Sequence, residues 1–152
     1  MESIEARLAA KDWQAITKEL HDKGFVIVKD MLNKKECDAL IAEYGAGDTY
    51  RKTISMERYR FGLGEYKYFQ YPLPGLITAM REGVYAEIAP VANQWMEELN
   101  IDKKFPTTHR AMKKLCREHG QEKPTVLILK YGEGGFNTLH QDLYGEIYFP
   151  MQ

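Results

Sequence analysis

The stretch PTVLILKYGEGGFNTLHQDLYGEIYFPMQ, Pro124 to Gln152, decides how the rest of the chain is read. PTVLILKY is a continuous apolar run of strand length, GEGG is a turn, and FNTLHQDLYGEIYFPMQ reads as one or two further strands. In a strand, residues two apart project from the same face, so His140 and Asp142 converge on one side just past the turn. One imidazole and one carboxylate make up two of the three groups in the facial triad that holds non-haem iron(II) with open coordination positions. The competing reading is a polar turn that happens to contain His-x-Asp, and that spacing alone does not choose between them.

Working outward, the chain has 152 residues, 44% hydrophobic and 28% charged, which suits one soluble globular domain. A formal net charge of -1 excludes a global electrostatic pull toward nucleic acid or an anionic membrane, while leaving room for a local basic patch. No apolar run approaches the length of a membrane span, and MESIEARLAAKDW lacks the apolar centre of a signal peptide. The expectation is a cytoplasmic protein with no membrane attachment. Cys37 and Cys116 fall far apart in helix-like segments and are expected as reduced thiols.

Upstream, Ile4, Leu8, Trp13, Ile16 and Leu20 recur at helical spacing up to Gly24, which predicts one helix with Trp13 in the core. FVIVK, Phe25 to Lys29, predicts a short buried strand. Asn33 and Glu36 have the spacing of a capping box, opening a helix with the stripe Cys37, Leu40, Ile41 and Tyr44 that Gly45 closes. From Tyr50 to Tyr71, RYRF alternates charged and aromatic residues, FGLGEY supplies a turn and YKYFQY continues beyond it. That pattern predicts a hairpin. Pro74 suits a helix start, and two helical segments follow, the second with Ile88, Val91, Trp95, Met96 and Leu99 on one stripe and Pro90 near its first turn. A third runs to Arg117 with Thr107 or Thr108 as N-cap, its basic face AMKKLCREH toward solvent. Helices first and strands afterwards give an α+β fold, or a β-fold with a helical flank. The expected organisation is one domain over 1–152. Residues 1–120 are mainly helical, apart from the strand at 25–29 and the hairpin near 50–71, and strands fill 124–152.

Tyr131, Gly134, Leu139, His140, Gln141 and Asp142 stand at the spacing Y-x-x-G-x-x-x-x-L-H-Q-D. This pattern resembles the Fe(II)/2-oxoglutarate dioxygenases, both the DNA-dealkylating AlkB type and the prolyl 4-hydroxylase type. Leu129 stands where the first branch has asparagine, and Asn137 where the second has an aromatic, so the match is to the superfamily. Five further blocks, GFVIVKDMLNKKEC, FGLGEYKYFQYPLP, APVANQW, GQEKPT and LHQDLYGEIYFPMQ, resemble in order a family of bacterial 2-oxoglutarate-Fe(II) oxygenases described as acting oxidatively on damaged, alkylated DNA. The resemblance implies part of a double-stranded β-helix, or jelly roll. It also implies iron ligation by His140 and Asp142, contact of Tyr131 with the co-substrate 2-oxoglutarate, and use of O₂.

The resemblance also implies a second histidine on a later strand and a basic residue for the distal carboxylate of 2-oxoglutarate. After Asp142 the sequence contains no histidine, arginine or lysine. His21 and His119 stand at helix ends before glycines, His109 begins a helix, and all three read as surface or capping residues. Glu146 reads as solvent-facing. The expectation is the N-terminal part of a longer protein, with an incomplete jelly roll that binds iron weakly and turns over little by itself.

For the primary substrate, ERYRFGLGEYKYFQYP places Arg58, Arg60 and Lys67 among Tyr59, Phe61, Tyr66, Tyr68 and Phe69. Phe61, Tyr66 and Tyr68 are candidates to stack on a base, with Arg58 and Arg60 at phosphates, and nucleic acid is the candidate partner. The bland alternative is a hairpin with one packed face. A protein or small-molecule hydroxylase of the same superfamily, and a non-catalytic binding remnant, are the other readings. Trp95 is expected in the core. Oligomeric state has no sequence signal.

Overall fold

The computed structural model describes residues 2–141 and 145–152. They form two compact units, one of Met1–Asn33, Pro74–Glu122 and Gly145–Gln152, the other of Lys34–Leu73 and Lys123–Tyr144. Among the described residues, six α-helices and two small antiparallel sheets make a mixed α and β architecture.

The first unit is helical. Its N-terminal segment is two helices, α1 (Ile4–Ala9) and α2 (Trp13–Lys23), where periodicity predicted one. Asp12 breaks the run: its side chain accepts from the Ala15 amide at 2.9 Å and caps a new helix instead of continuing the old one. Trp13 is half-buried, its indole donating to the Leu8 carbonyl across that break. Gly24, at a left-handed φ of 77°, closes α2. The FVIVK run is not a strand. Phe25–Lys29 has no ladder partner among the described residues, and Phe25 and Ile27 are 62% and 76% exposed. At its end the Lys11 ammonium donates to the Lys29 carbonyl at 2.7 Å, a side-chain bond and not a ladder bond.

The two segments expected after Pro74 are one helix, α5 (Gly75–Glu98), which runs through Pro90. An interior proline costs on the order of 3 kcal/mol. Burial of Ala89, Val91, Ala92 and Met96 around it supplies the offset. Ala89, Ala92, Met96 and Tyr85 pack with Phe105 and with Met112 of α6 (His109–Glu118), and Phe149 closes the cluster at 5.0 Å from the Tyr85 ring and 5.1 Å from Phe105. Thr108 is the N-cap of α6, accepting from the Ala111 amide. Trp95 lies at the edge of the cluster with its indole bonded to His21, and Leu99 at the helix end is exposed, so the predicted stripe is buried only in part.

EIYFPMQ is not a strand either. The Gln121 amide stands in for a strand neighbour, donating to the Ile147 carbonyl at 2.7 Å and accepting from its amide at 2.9 Å. Asn93 does the same for Phe105, at 3.1 and 2.7 Å. His109, expected at the surface, is only 8% exposed, and its Nδ1 has no hydrogen-bond partner among the described residues. Burial, then Arg81 and Lys113, push its pKa down to about 4.

The second unit holds both sheets. β1 (Tyr50–Ser55), β3 (Glu65–Phe69) and β4 (Leu127–Lys130) form an antiparallel sheet in the order β1-β3-β4. Between β1 and β3 the expected alternating RYRF strand is largely a helical turn, α4 (Met56–Tyr59), ended by Arg60 at φ 61°. Met56 is fully buried, and that apolar anchor outweighs the strand pattern of its neighbours. β2 (Gly62–Leu63) then pairs with β5 (Phe136–Asn137) in a separate two-stranded ladder. Helix α3 (Lys34–Glu43) buries none of its residues fully, and Ile41 of the predicted stripe is exposed. Tyr44 beyond it does the docking: its hydroxyl donates to Glu65 at 2.8 Å and its carbonyl accepts from Lys67 at 2.8 Å. Burial and then the Glu65 bond push the Tyr44 phenol pKa well up.

The β3–β4 register pairs Glu65 with Lys130, so one step outward Gly64 stands opposite Tyr131. A Cβ on Gly64 would lie 2.8 Å from Tyr131 Cδ1 and 3.1 Å from the Lys130 carbonyl, so the ring occupies the space a side chain would need. Gly64→Ala should therefore push the ring aside and destabilise the protein by about 1–3 kcal/mol in urea unfolding; an unchanged midpoint would contradict the packing. His109 gives a pH test. Its folded pKa is below the unfolded value, so the unfolded state binds more protons and stability falls as pH drops from about 6.5 to about 4. The loss should reach about 3 kcal/mol relative to His109→Gln, which lacks the titration. Parallel pH profiles for the two proteins would contradict it.

Candidate metal centre

His140 is placed by the β2–β5 ladder. One residue past the Gly62–Asn137 pair, the amide and hydroxyl of Thr138 both donate to the Phe61 carbonyl, at 2.9 and 2.8 Å. Two residues further on, His140 is exposed, and its Nδ1 lies 2.7 Å from the Thr138 carbonyl. A carbonyl only accepts, so Nδ1 carries the proton and Nε2 is the basic nitrogen of the neutral ring. Metal-binding imidazoles use this arrangement, in which the far N–H is held by a backbone carbonyl and the ring is set in tautomer and orientation. Asp142, the second expected ligand, lies outside the described residues.

Tyr131 follows β4 directly and is 43% exposed. The glycine turn wraps its base: the Gly135 amide donates to the Gly132 carbonyl at 3.0 Å, and a Cβ on Gly135 would meet Tyr131 Cβ at 2.9 Å. Gly134 takes a left-handed φ of 73° in the same turn. By strand alternation Tyr131 continues the face of Leu127 and Leu129, which the register sets opposite Tyr68 and Tyr66.

Tyr66 and Tyr68 meet edge to face at 5.4 Å, Tyr66 and Phe61 lie 6.2 Å apart, and Phe61 stacks on Tyr59 at 6.2 Å. The Arg51 guanidinium caps the far end, 4.4 Å from the Tyr68 ring centre. The aromatic candidates therefore form one continuous run, and Arg58 and Arg60 are exposed beside its outer end. Lys67 is not part of it. It projects to the other face of the sheet, bonded to Tyr44 and lying over the Tyr44 and Tyr50 rings.

Sequence reasoning missed Thr138, Gly64, Tyr59 as the outermost ring, and Arg51. Thr138 gives no signal beyond strand propensity, because its role depends on a carbonyl 77 residues away. The other histidines belong to the helical unit: His21 accepts from Trp95, His109 is buried, and His119 donates to the Leu115 carbonyl. Among the described residues, no group of three or more His, Cys, Asp or Glu side chains comes together to hold a metal ion. Likewise among them, no helix is long and apolar enough to cross a membrane.

Two uncharacterized proteins of Mycobacterium tuberculosis, from strains CDC 1551 / Oshkosh and H37Rv, are each 28% identical to the chain over 140 residues, covering 92% of it and 55% of the relative. The chain thus spans about half the length of the curated relatives it matches. No solved structure matches it. A family model matches residues 64–152, which include β3, the glycine turn and His140. The chain belongs to that family, described as an oxygenase catalysing oxidative methylation of damaged DNA.

Proposed function

We propose that the chain carries the iron-binding segment of an Fe(II)- and 2-oxoglutarate-dependent dioxygenase that hydroxylates, and thereby demethylates, alkylated nucleic acid. His140 and Asp142 would hold the iron, Tyr131 would contact 2-oxoglutarate, and the two sheets would be part of a jelly roll. The observation that carries the reading is the Nδ1 proton of His140 on the Thr138 carbonyl, which presents Nε2 as a ligand two residues before a carboxylate. When bound, the metal and co-substrate supply O₂ activation, with one oxygen atom entering succinate, CO₂ leaving, and the other oxygen entering a substrate C–H bond. Hydroxylation of an N-methyl group gives a hemiaminal, which releases formaldehyde and leaves the N–H.

The chain's own residues do the positioning. Thr138 fixes the segment that carries His140 and orients its ring. The turn at Gly132–Gly135 and the open space at Gly64 set the Tyr131 ring beside β3. The aromatic run from Phe61 to Tyr68 offers an apolar wall for a base, and the family description supports damaged DNA as its source.

Anaerobic titration with Fe(II) in the presence of 2-oxoglutarate tests this. His140→Ala should weaken iron binding by at least about tenfold, in line with the loss of an inner ligand; equal affinity in that variant would overturn the assignment. With two assigned protein ligands, the chain alone should bind iron weakly and convert little 2-oxoglutarate to succinate. Robust conversion would mean that a third ligand comes from elsewhere in these 152 residues.

A further inference from the structure

Tyr59 stands at the outer end of the aromatic run and is 54% exposed. One face of its ring backs onto Phe61 with the planes only 25° apart, while Phe61, Tyr66 and Tyr68 are half-buried against one another. The position is rigidly built. Tyr59 ends α4, the Arg60 amide closes the turn onto the Glu57 carbonyl at 3.1 Å, and the fully buried Met56 anchors it from beneath. Ordering this side chain on binding therefore costs little entropy.

The surrounding charge is selective. Between Tyr50 and Leu73 there are five basic residues, Arg51, Lys52, Arg58, Arg60 and Lys67, and two acidic ones, Glu57 and Glu65. Glu57 is hydrogen-bonded to the Ser55 hydroxyl, and Glu65 to the Tyr44 hydroxyl. Lys67 is held by Tyr44, and Arg51 by the Pro124 carbonyl and the Tyr68 ring. Arg58 and Arg60, flanking Tyr59 in sequence, are both exposed. An exposed ring flanked in sequence by two exposed arginines, on a chain whose overall charge is near neutral, is a local feature matched to a π-face carried on an anionic backbone.

We propose that Tyr59 is a stacking platform for an unpaired base, with Arg58 and Arg60 taking the adjacent phosphates, so that the protein engages single-stranded nucleic acid in preference to duplex. A base inside a duplex has both faces covered by its neighbours and offers none to Tyr59. The inference rests on the proposed function for nucleic acid as the partner, and on the aromatic run for the geometry; it needs no metal.

The test is fluorescence anisotropy of a labelled oligothymidylate and of a labelled duplex of equal length, with the 152-residue chain and neither iron nor 2-oxoglutarate added. Tyr59→Ala should weaken single-strand binding about tenfold and Tyr59→Phe should leave it within about twofold, because stacking needs the ring and not the hydroxyl. Arg58→Ala combined with Arg60→Ala should flatten the salt dependence by about 1.4 in log–log slope, for two phosphate contacts on a single strand. Equal binding by Tyr59→Ala, duplex bound as tightly as single strand, or no oligonucleotide binding by the wild type would each overturn the proposal. So would concentration-dependent self-association that Tyr59→Ala abolishes, which would identify the platform as a contact between copies of the chain. Oligonucleotide binding is read without iron and iron binding without oligonucleotide, so failure of the iron assignment and failure of the platform are separately visible.

Discussion

The carbonyl oxygen of Phe61 accepts two hydrogen bonds from Thr138, and the placement of the candidate centre depends on that junction. A two-residue ladder is a weak element by itself. Here Gly62 lies so close to the Phe136 carbonyl that no side chain would fit, and Thr138 extends the ladder with both of its donors. Because the same residue gives its own carbonyl to His140, one threonine couples the backbone register to the imidazole tautomer. Phe61 is also the second ring of the aromatic run, so the segment carrying His140 and that run share an anchor.

Glycine has a distinct part in the sheet unit. Gly64 gives up the position opposite Tyr131, and the tyrosine ring lies across it, a cross-strand exchange in which the absent side chain makes room for the present one. The helical unit solves a different problem by a different means. Ile147 and Phe105 have no strand neighbour among the described residues, and the side-chain amides of Gln121 and Asn93 pair with their backbones instead. Those pairings let Ile147 and Phe105 pack at the core cluster with their own backbone N–H and C=O groups satisfied.

The sequence was most legible where local chemistry decides. The caps at Thr108 and Gly24, the strand LILK, the glycine turn and the His-x-Asp spacing all follow from residue type and short-range pattern. It misled where tertiary burial outweighs propensity, as with Pro90 inside α5 and Met56 pulling RYRF into a turn, and where FVIVK finds no strand partner among the described residues. Periodicity reports which residues favour burial and not whether a partner surface arrives. For the candidate site, spacing singled out Tyr131 and His140, and aromatic composition singled out Phe61, Tyr66 and Tyr68, whose rings the fold groups together. Thr138, Gly64 and Arg51 were not, because each acts on a residue distant in sequence through a contact that only the folded chain creates.

The central claim is that His140 binds iron through Nε2 while Nδ1 stays on the Thr138 carbonyl. X-ray absorption at the iron edge, on anaerobically loaded protein with 2-oxoglutarate present, tests it most directly. The account predicts imidazole scattering in the iron's surroundings that disappears in His140→Ala, with oxygen ligation remaining. Imidazole scattering that survives in His140→Ala, or its absence from the wild type, would contradict the account.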